Sequence, residues 1–213
     1  MSSVILIPGW ATDRRVFSTL DLGHDRIIPA DFPPHTFERE LLEILKQKNI
    51  KKVSLFGWSM GGTLAADLAA KYPELIHSLI LIGVKRRYSK EDLDKVREYV
   101  RQNRVGYLYK FYSRCFAPGK AITWFKKNLL RPYCDRFETD TLLQGLDYLE
   151  HAEIKPSTLK GIPNITIIHG TEDRIAPIEE ALALQKEIPN AKFVRVENAG
   201  HATFLEEDLS KYI

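Results

Sequence analysis

Residues 55–62 read Leu-Phe-Gly-Trp-Ser-Met-Gly-Gly, and within them Gly57, Ser59 and Gly61 have the spacing Gly-x-Ser-x-Gly. That spacing suits a serine nucleophile carried on a sharp strand-to-helix turn, where the side chains two residues to either side must be minimal. The turn also places Ser59 at a helix N-terminus, whose free N–H groups and dipole favour developing negative charge. The motif alone arises by chance. Here it follows an apolar run at 53–56 and opens the run Thr-Leu-Ala-Ala-Asp-Leu-Ala-Ala at 63–70, a good and compact helix former.

A serine hydroxyl needs a base, and the base needs an orienting acid. In the chain order serine, acid, histidine, the acid is expected in Ile-Ile-His-Gly-Thr-Glu-Asp-Arg-Ile-Ala-Pro at 167–177 and the histidine in Asn-Ala-Gly-His-Ala-Thr-Phe at 198–204. Asp173 sits just past a strand end, where ligand chemistry gathers in open α/β sheets. His201 then takes the Ser59 proton and returns it to the leaving group, with Asp173 fixing its tautomer. Glu172 competes for the acid's role, but the spacing from Gly170 and towards Pro177 favours Asp173. His169 reads as structural. His24, His35, His77 and His151 have no motif around them and read as surface or core residues. The oxyanion hole is expected from the N–H of Met60 and, in the loop Pro8-Gly9-Trp10-Ala11, the N–H of Trp10. Trp58 and Met60 otherwise read as core side chains.

The elements that must position these groups are legible as rhythm. Apolar runs at 4–7, 26–30, 53–56, 79–82, 165–168 and 193–196 read as strands, with helices at 37–48, 61–71 and 178–187. Near-continuous apolar runs predict a buried, mostly parallel sheet of about six strands. The middle differs: 91–104, 107–116 and 139–151 read as amphipathic helices, broken at Pro118-Gly119, Arg131-Pro132 and Lys155-Pro156. We therefore expect a core of 1–84 with 156–213 and, inserted after the fourth strand, a helical cap of 85–155. Its aromatics Tyr107, Phe111, Trp124 and Phe125 are candidates for an acyl tunnel over Ser59, although each ring could equally serve the cap's own core.

Bulk properties set limits. The chain has 213 residues, 44% hydrophobic and 28% charged, enough to bury a core in one domain with an insertion. No apolar stretch approaches the ~20 residues that cross a bilayer. The opening 1–10 reads as a strand and not a signal peptide, so a cytoplasmic location is expected, with neither a membrane nor a nucleic-acid partner. Cys115 and Cys134 suggest neither a disulfide framework nor a zinc site, and no metal or cofactor is expected. The net charge of +3 conceals an asymmetry: residues 84–136 hold 15 Lys and Arg against 5 Asp and Glu. Arg86, Arg87, Arg114, Lys126, Lys127 and Arg131 are candidates for docking an acidic partner; the alternative is a solvated helical surface.

On these residues the chain resembles the α/β-hydrolases of the esterase type. More narrowly it resembles the pimeloyl-[acyl-carrier protein] methyl ester esterases of biotin synthesis. The resemblance rests on Gly9-Trp10, on the elbow Gly57-Trp58-Ser59-Met60-Gly61-Gly62, on the Asp173 loop, on Ala199-Gly200-His201-Ala202 and on the basic cap. It implies the α/β-hydrolase fold, a serine carboxylesterase, and an acyl-ester substrate on an acidic acyl-carrier protein. The sequence departs from the family pattern in having Pro8 where His precedes Gly-Trp, and in opening directly on that strand. The alternatives are a general small-ester hydrolase or thioesterase without a carrier, and a catalytically silent binding module. Epoxide hydrolases and haloalkane dehalogenases share the fold but use aspartate as nucleophile, so Ser59 argues against them.

Overall fold

The apolar runs become six parallel strands. In a computed structural model of the chain, which describes residues 3–23, 26–28 and 33–212, they are β1 (Ser3–Ile7), β2 (Arg26–Ile27), β3 (Val53–Trp58), β4 (Ile76–Ile82), β5 (Ile165–Gly170) and β6 (Lys192–Val196). The sheet order is β2-β1-β3-β4-β5-β6, all neighbours parallel. The end of the expected second strand, at 29–30, lies outside the described residues, as does His24.

Side chains alternate across the sheet and divide the core in two. Ile5, Ile7, Val53, Leu55, Leu79, Leu81, Ile165 and Ile167 face α1 (Phe37–Gln47), α2 (Met60–Lys71) and α7 (Ile178–Glu187). On α1, Phe37, Leu41 and Leu45 recur every four residues and are all buried there; each such side chain contributes about 1.5–3 kcal/mol by leaving water. Val4, Leu6, Phe56, Trp58, Ile80, Ile82 and Ile168 face the other way, towards Phe17, Phe204 and the helices inserted after β4.

Those inserted helices are α3 (Lys90–Arg114), α4 (Lys120–Phe125), α5 (Arg131–Arg136) and α6 (Thr139–His151). The two helices expected at 91–104 and 107–116 form one span, α3, kinked at Asn103 with φ −154° and ψ 80°. There the Asn103 carboxamide oxygen accepts the Gly106 N–H at 2.9 Å, so a side chain replaces a lost backbone bond. Arg131-Pro132, expected as a break, instead opens α5 directly after a π-helical turn at Lys126–Leu130. Helical dihedrals continue unbroken from α4 through that turn into α5, so Pro132 lies within a continuous helical run, and the wider π-helical turn sits where the proline removes a backbone donor.

The order of the sheet positions the site. The chain leaves β1 for β2 on one side and passes to β3 on the other, so a crevice opens beyond the carboxyl ends of β1 and β3. Trp10 and Ser59 follow those two ends directly.

Candidate active site

Ser59 stands between β3 and α2 at φ 56° and ψ −119°, a left-handed conformation for a residue with a side chain. Strain of this kind costs on the order of 1–3 kcal/mol and persists only where neighbours enforce it. The enforcing contacts are close. A Cβ on Gly57 would lie 2.6 Å from the Cα of Gly62, and one on Gly61 would lie 2.5 Å from the Pro8 carbonyl oxygen. The Ser59 N–H donates to the Ile82 carbonyl at 2.8 Å, tying the turn to the end of β4. Gly9 comes so near that a Cβ there would be 3.2 Å from that of Ser59, which brings the Trp10 loop alongside Ser59.

His201 and Asp173 come from loops after β6 and β5, and His201 packs against Gly83, next to the Ile82 carbonyl that holds the Ser59 N–H. His201 Nδ1 lies 2.7 Å from Asp173 Oδ2, and both side chains are fully enclosed. An ionised carboxylate only accepts, so Nδ1 carries the proton and Nε2 holds the lone pair of a base. His201 Nε2 is buried and finds no hydrogen-bond partner among the described residues. The other oxygen of Asp173 accepts the N–H groups of Ile175 at 2.8 Å and Ala176 at 2.9 Å. Burial by itself raises the Asp173 carboxyl; charge on His201 and hydrogen bonds from His169 and His201 outweigh it and hold the carboxyl well below its usual range. Glu172, by contrast, points to solvent.

Several supports lay outside the sequence reading. His169 Nε2 is 2.7 Å from the Ala176 carbonyl and 3.2 Å from Asp173 Oδ2, so the acid serves two imidazoles. The Trp58 indole donates to the His201 carbonyl at 2.9 Å, which gives this core ring a part in fixing the histidine loop. Glu206, on the short helix α8 (Thr203–Glu206), accepts the N–H groups of Gly200 and Ala117. Tyr88, in the segment joining β4 to α3, lines the same cleft as Ser59, and Lys85 Nζ sits 4.6 Å from its ring centre. The only hint in sequence was its place just after a strand end.

A cleft of about 580 Å³ opens over Ser59. Tyr107 and Phe111 line it, and the rings form a ladder: Tyr99 stacks on Tyr107 at 5.8 Å, Tyr107 on Phe111 at 6.5 Å, and Phe111 meets Trp10 edge-on at 5.0 Å. Trp124 and Phe125 do not line it. Phe125 is buried against Tyr112, Phe116 and Tyr133, and Trp124 packs on the same cluster, because these inserted helices need a core of their own.

The basic candidates disperse. Arg114 reaches the cleft, joined there by Lys85, Lys95, Lys110 and Arg174. Arg86 is engaged by Glu153 at 2.9 Å and Glu187 at 2.6 Å. Arg87, Lys126, Lys127 and Arg131 are exposed away from the cleft lining. Arg97 bridges Asp94, Asp147 and Glu150, and Lys90 also reaches Glu150, so acids from α6 offset part of the local excess. His35, His77 and His151 are exposed, and Cys115 and Cys134 are buried free thiols. Among the described residues no group of three or more His, Cys, Asp or Glu is placed to hold a metal ion, and no helix is long and apolar enough to cross a membrane.

The sequence profile described as alpha/beta hydrolase fold matches residues 16–138 and 125–208, most of the chain. The chain belongs to the alpha/beta hydrolase fold family. Among relatives of this hydrolase, the pimeloyl-[acyl-carrier protein] methyl ester esterase of Nitrosomonas europaea is 25% identical over 227 residues, covering 95% of this chain and 89% of its own. The serine hydrolase BPHL of Homo sapiens is 27% identical over 177 residues, 80% of this chain and 56% of that protein. In three dimensions the esterase EaEST from Exiguobacterium antarcticum matches the hydrolase with a TM-score of 0.81 at 21% identity, over 97% of this chain and 87% of that one, a likeness of fold.

Proposed function

We propose that this hydrolase is a serine carboxylesterase that removes the methyl ester from an acyl chain carried on an acyl-carrier protein, a pimeloyl chain in biotin synthesis. The observation that carries the reading is the enclosed Asp173–His201 pair at 2.7 Å, whose Nε2 has no partner among the described residues, together with the strained Ser59 that lines the cleft. His201 Nε2 takes the Ser59 proton as Oγ adds to the ester carbonyl. The N–H groups of Met60 and Trp10 receive the oxyanion. His201 then protonates the departing methanol, and water releases the acid by the same steps in reverse. The segment 85–155 acts as a cap over a core of 1–84 and 156–213, and the ladder from Tyr99 to Trp10 forms the wall along which the acyl chain lies. The carrier is favoured by the names of relatives such as that of Nitrosomonas europaea and by the cations at the cleft.

The second reading, a hydrolase or thioesterase of small free esters, is favoured by the pairing of Arg86, Lys90 and Arg97 with acids, which weakens the basic surface. A panel of methyl esters, free and carrier-linked, separates the two. Carrier docking predicts that the Michaelis constant for the carrier-linked ester rises as added salt shortens the Debye length from about 10 Å towards 3 Å, while that of the free ester does not. Equal behaviour of both substrates refutes the carrier. Ser59→Ala is expected to abolish turnover, a loss on the order of 10⁶-fold, and labelling by a fluorophosphonate. A folded wild-type protein inert to that probe refutes the serine mechanism altogether.

A further inference from the structure

The loop that carries Asp173 folds back on the strand before it. His169, near the end of β5, is wholly enclosed and holds that loop by one ring nitrogen. Its Nε2 is 2.7 Å from the Ala176 carbonyl, which can only accept, so Nε2 carries a proton. The same nitrogen is 3.2 Å from Asp173 Oδ2, the oxygen that lies 2.7 Å from His201 Nδ1. Ala176 in turn donates its N–H to Asp173 Oδ1 at 2.9 Å. His169, Ala176 and Asp173 therefore close a ring of contacts around the carboxylate. The other nitrogen, His169 Nδ1, is buried and has no partner among the described residues. Burying a polar atom unpaired is unfavourable, and an apolar side chain would fill this space without that penalty. What the imidazole supplies, and an apolar ring does not, is the Nε2–H.

We propose that His169 is a positioning residue for the reaction, acting through Asp173: its Nε2–H keeps the carboxylate in line with His201 Nδ1. This inference rests on the serine-esterase reading. Asp173 stands in a loop and not in the sheet, so its carboxylate is only as steady as the groups that hold it. The N–H groups of Ile175 and Ala176 fix Oδ1, but they belong to the same loop. His169 belongs to β5, which is paired with β4 on one side and β6 on the other. It ties Ala176 to that frame, and with Ala176 the carboxylate. The orienting acid serves the rate by keeping the imidazole aimed and its Nδ1 protonated, and a misplacement of 1 Å in such a group costs on the order of 10²-fold. His169 touches no substrate and moves no proton. The proton path remains Ser59 to His201 Nε2 to the leaving group.

Three variants test the role. In His169→Gln the amide nitrogen reaches about as far as Nε2 and can donate to Ala176. In His169→Asn it reaches only as far as Nδ1, and His169→Phe has no donor. Each is compared with wild type on a p-nitrophenyl ester, with rates expressed per site titrated by a fluorophosphonate. His169→Phe and His169→Asn are expected to lower kcat on the order of 10- to 100-fold at unchanged KM, and His169→Gln to retain most of it. The low-field proton resonance of the His201 Nδ1–H to Asp173 bond is expected to move in the Asn and Phe variants and to return in the Gln variant. A ring that only packs would change Tm alone, so an unaltered kcat per titrated site with an unmoved resonance in His169→Asn overturns the proposal. Equal kcat in His169→Gln and His169→Asn also overturns it, a comparison that stands even where His169→Phe does not fold. Failure of the wild-type protein to react with the fluorophosphonate overturns the underlying serine reading instead, so the two failures are distinguishable.

Discussion

Gly83→Ala tests whether the position of His201 is set by backbone contact. Gly83 lies at φ +57°, and a Cβ there would meet His201 Nδ1 at 2.9 Å, Cε1 at 3.0 Å and the carbonyl oxygen at 3.0 Å. The ring has nowhere easy to go: Asp173 holds Nδ1 at 2.7 Å and Trp58 holds the carbonyl at 2.9 Å. Restoring ordinary contact near 4 Å requires a displacement of about 0.5–1 Å. A shift of 1 Å at a reacting group costs on the order of 10²-fold in rate. Gly23→Ala is the control, because Gly23 shares the left-handed backbone at φ +64° but a Cβ there meets nothing within 4 Å among the described residues. Both variants bear the left-handed penalty of roughly 1–2 kcal/mol, offset by about 0.4–1 kcal/mol through a stiffer unfolded chain. Gly23→Ala is therefore expected to lower Tm by a few degrees at most, at about 2–4 °C per kcal/mol for this length, and to keep full activity. Gly83→Ala adds the steric term, with a larger drop in Tm and a loss in kcat of about 10²-fold on an activated ester. Wild-type turnover in Gly83→Ala, or equal losses in both variants, refutes the reasoning.

Asp173→Asn is expected to lower kcat by about 10⁴-fold, because an amide facing Nδ1 favours the wrong tautomer. It has a second signature: the Asp173 carboxyl is held below its usual range, so its contribution to stability is present at neutral pH and is lost as pH falls from the unfolded value near ~4. The fall in Tm between pH 7 and pH 3 is accordingly smaller in the variant, as thermal melts would read. Glu206→Gln presents an amide N–H₂ to one of two backbone donors, Gly200 or Ala117, that now meet a carboxylate. A buried N–H left unpaired costs about 1–3 kcal/mol; melts should show the lower Tm, and kcat should fall because Gly200 precedes His201.

The parts of this molecule that could be read from sequence are those encoded by neighbours along the chain. Ser59 was legible because strand, glycines and helix flank it within fifteen residues, and the strands because a buried parallel sheet writes itself as apolar runs. Contacts across the fold were not. Trp58 and His201 lie 143 residues apart, and nothing near Trp58 shows that its indole holds the histidine carbonyl. His169 read as structural, but its approach to Asp173 appears only when the loop after β5 folds back. Phe125 and Phe111 are alike in sequence, fourteen positions apart in one aromatic block, yet one packs among the rings of the inserted helices and the other forms part of the cleft wall. The charge count over 84–136 stopped short of α6, whose Asp147 and Glu150 meet Arg97.

The loop after β1 is fastened from above. Trp10 Nε1–H donates to the Leu142 carbonyl at 2.9 Å, the Tyr112 hydroxyl donates to the Ala11 carbonyl, and the Tyr133 hydroxyl meets the carbonyl and carboxylate of Asp13 at 3.3 and 3.2 Å. Helices α3, α5 and α6 thus each grip the loop on which Trp10 N–H is carried. On the proposed mechanism, lifting these helices together would break every one of these bonds and free the loop that carries the Trp10 donor. In that reading substrate admission would precede chemistry, like an interlock whose door must shut before the circuit closes.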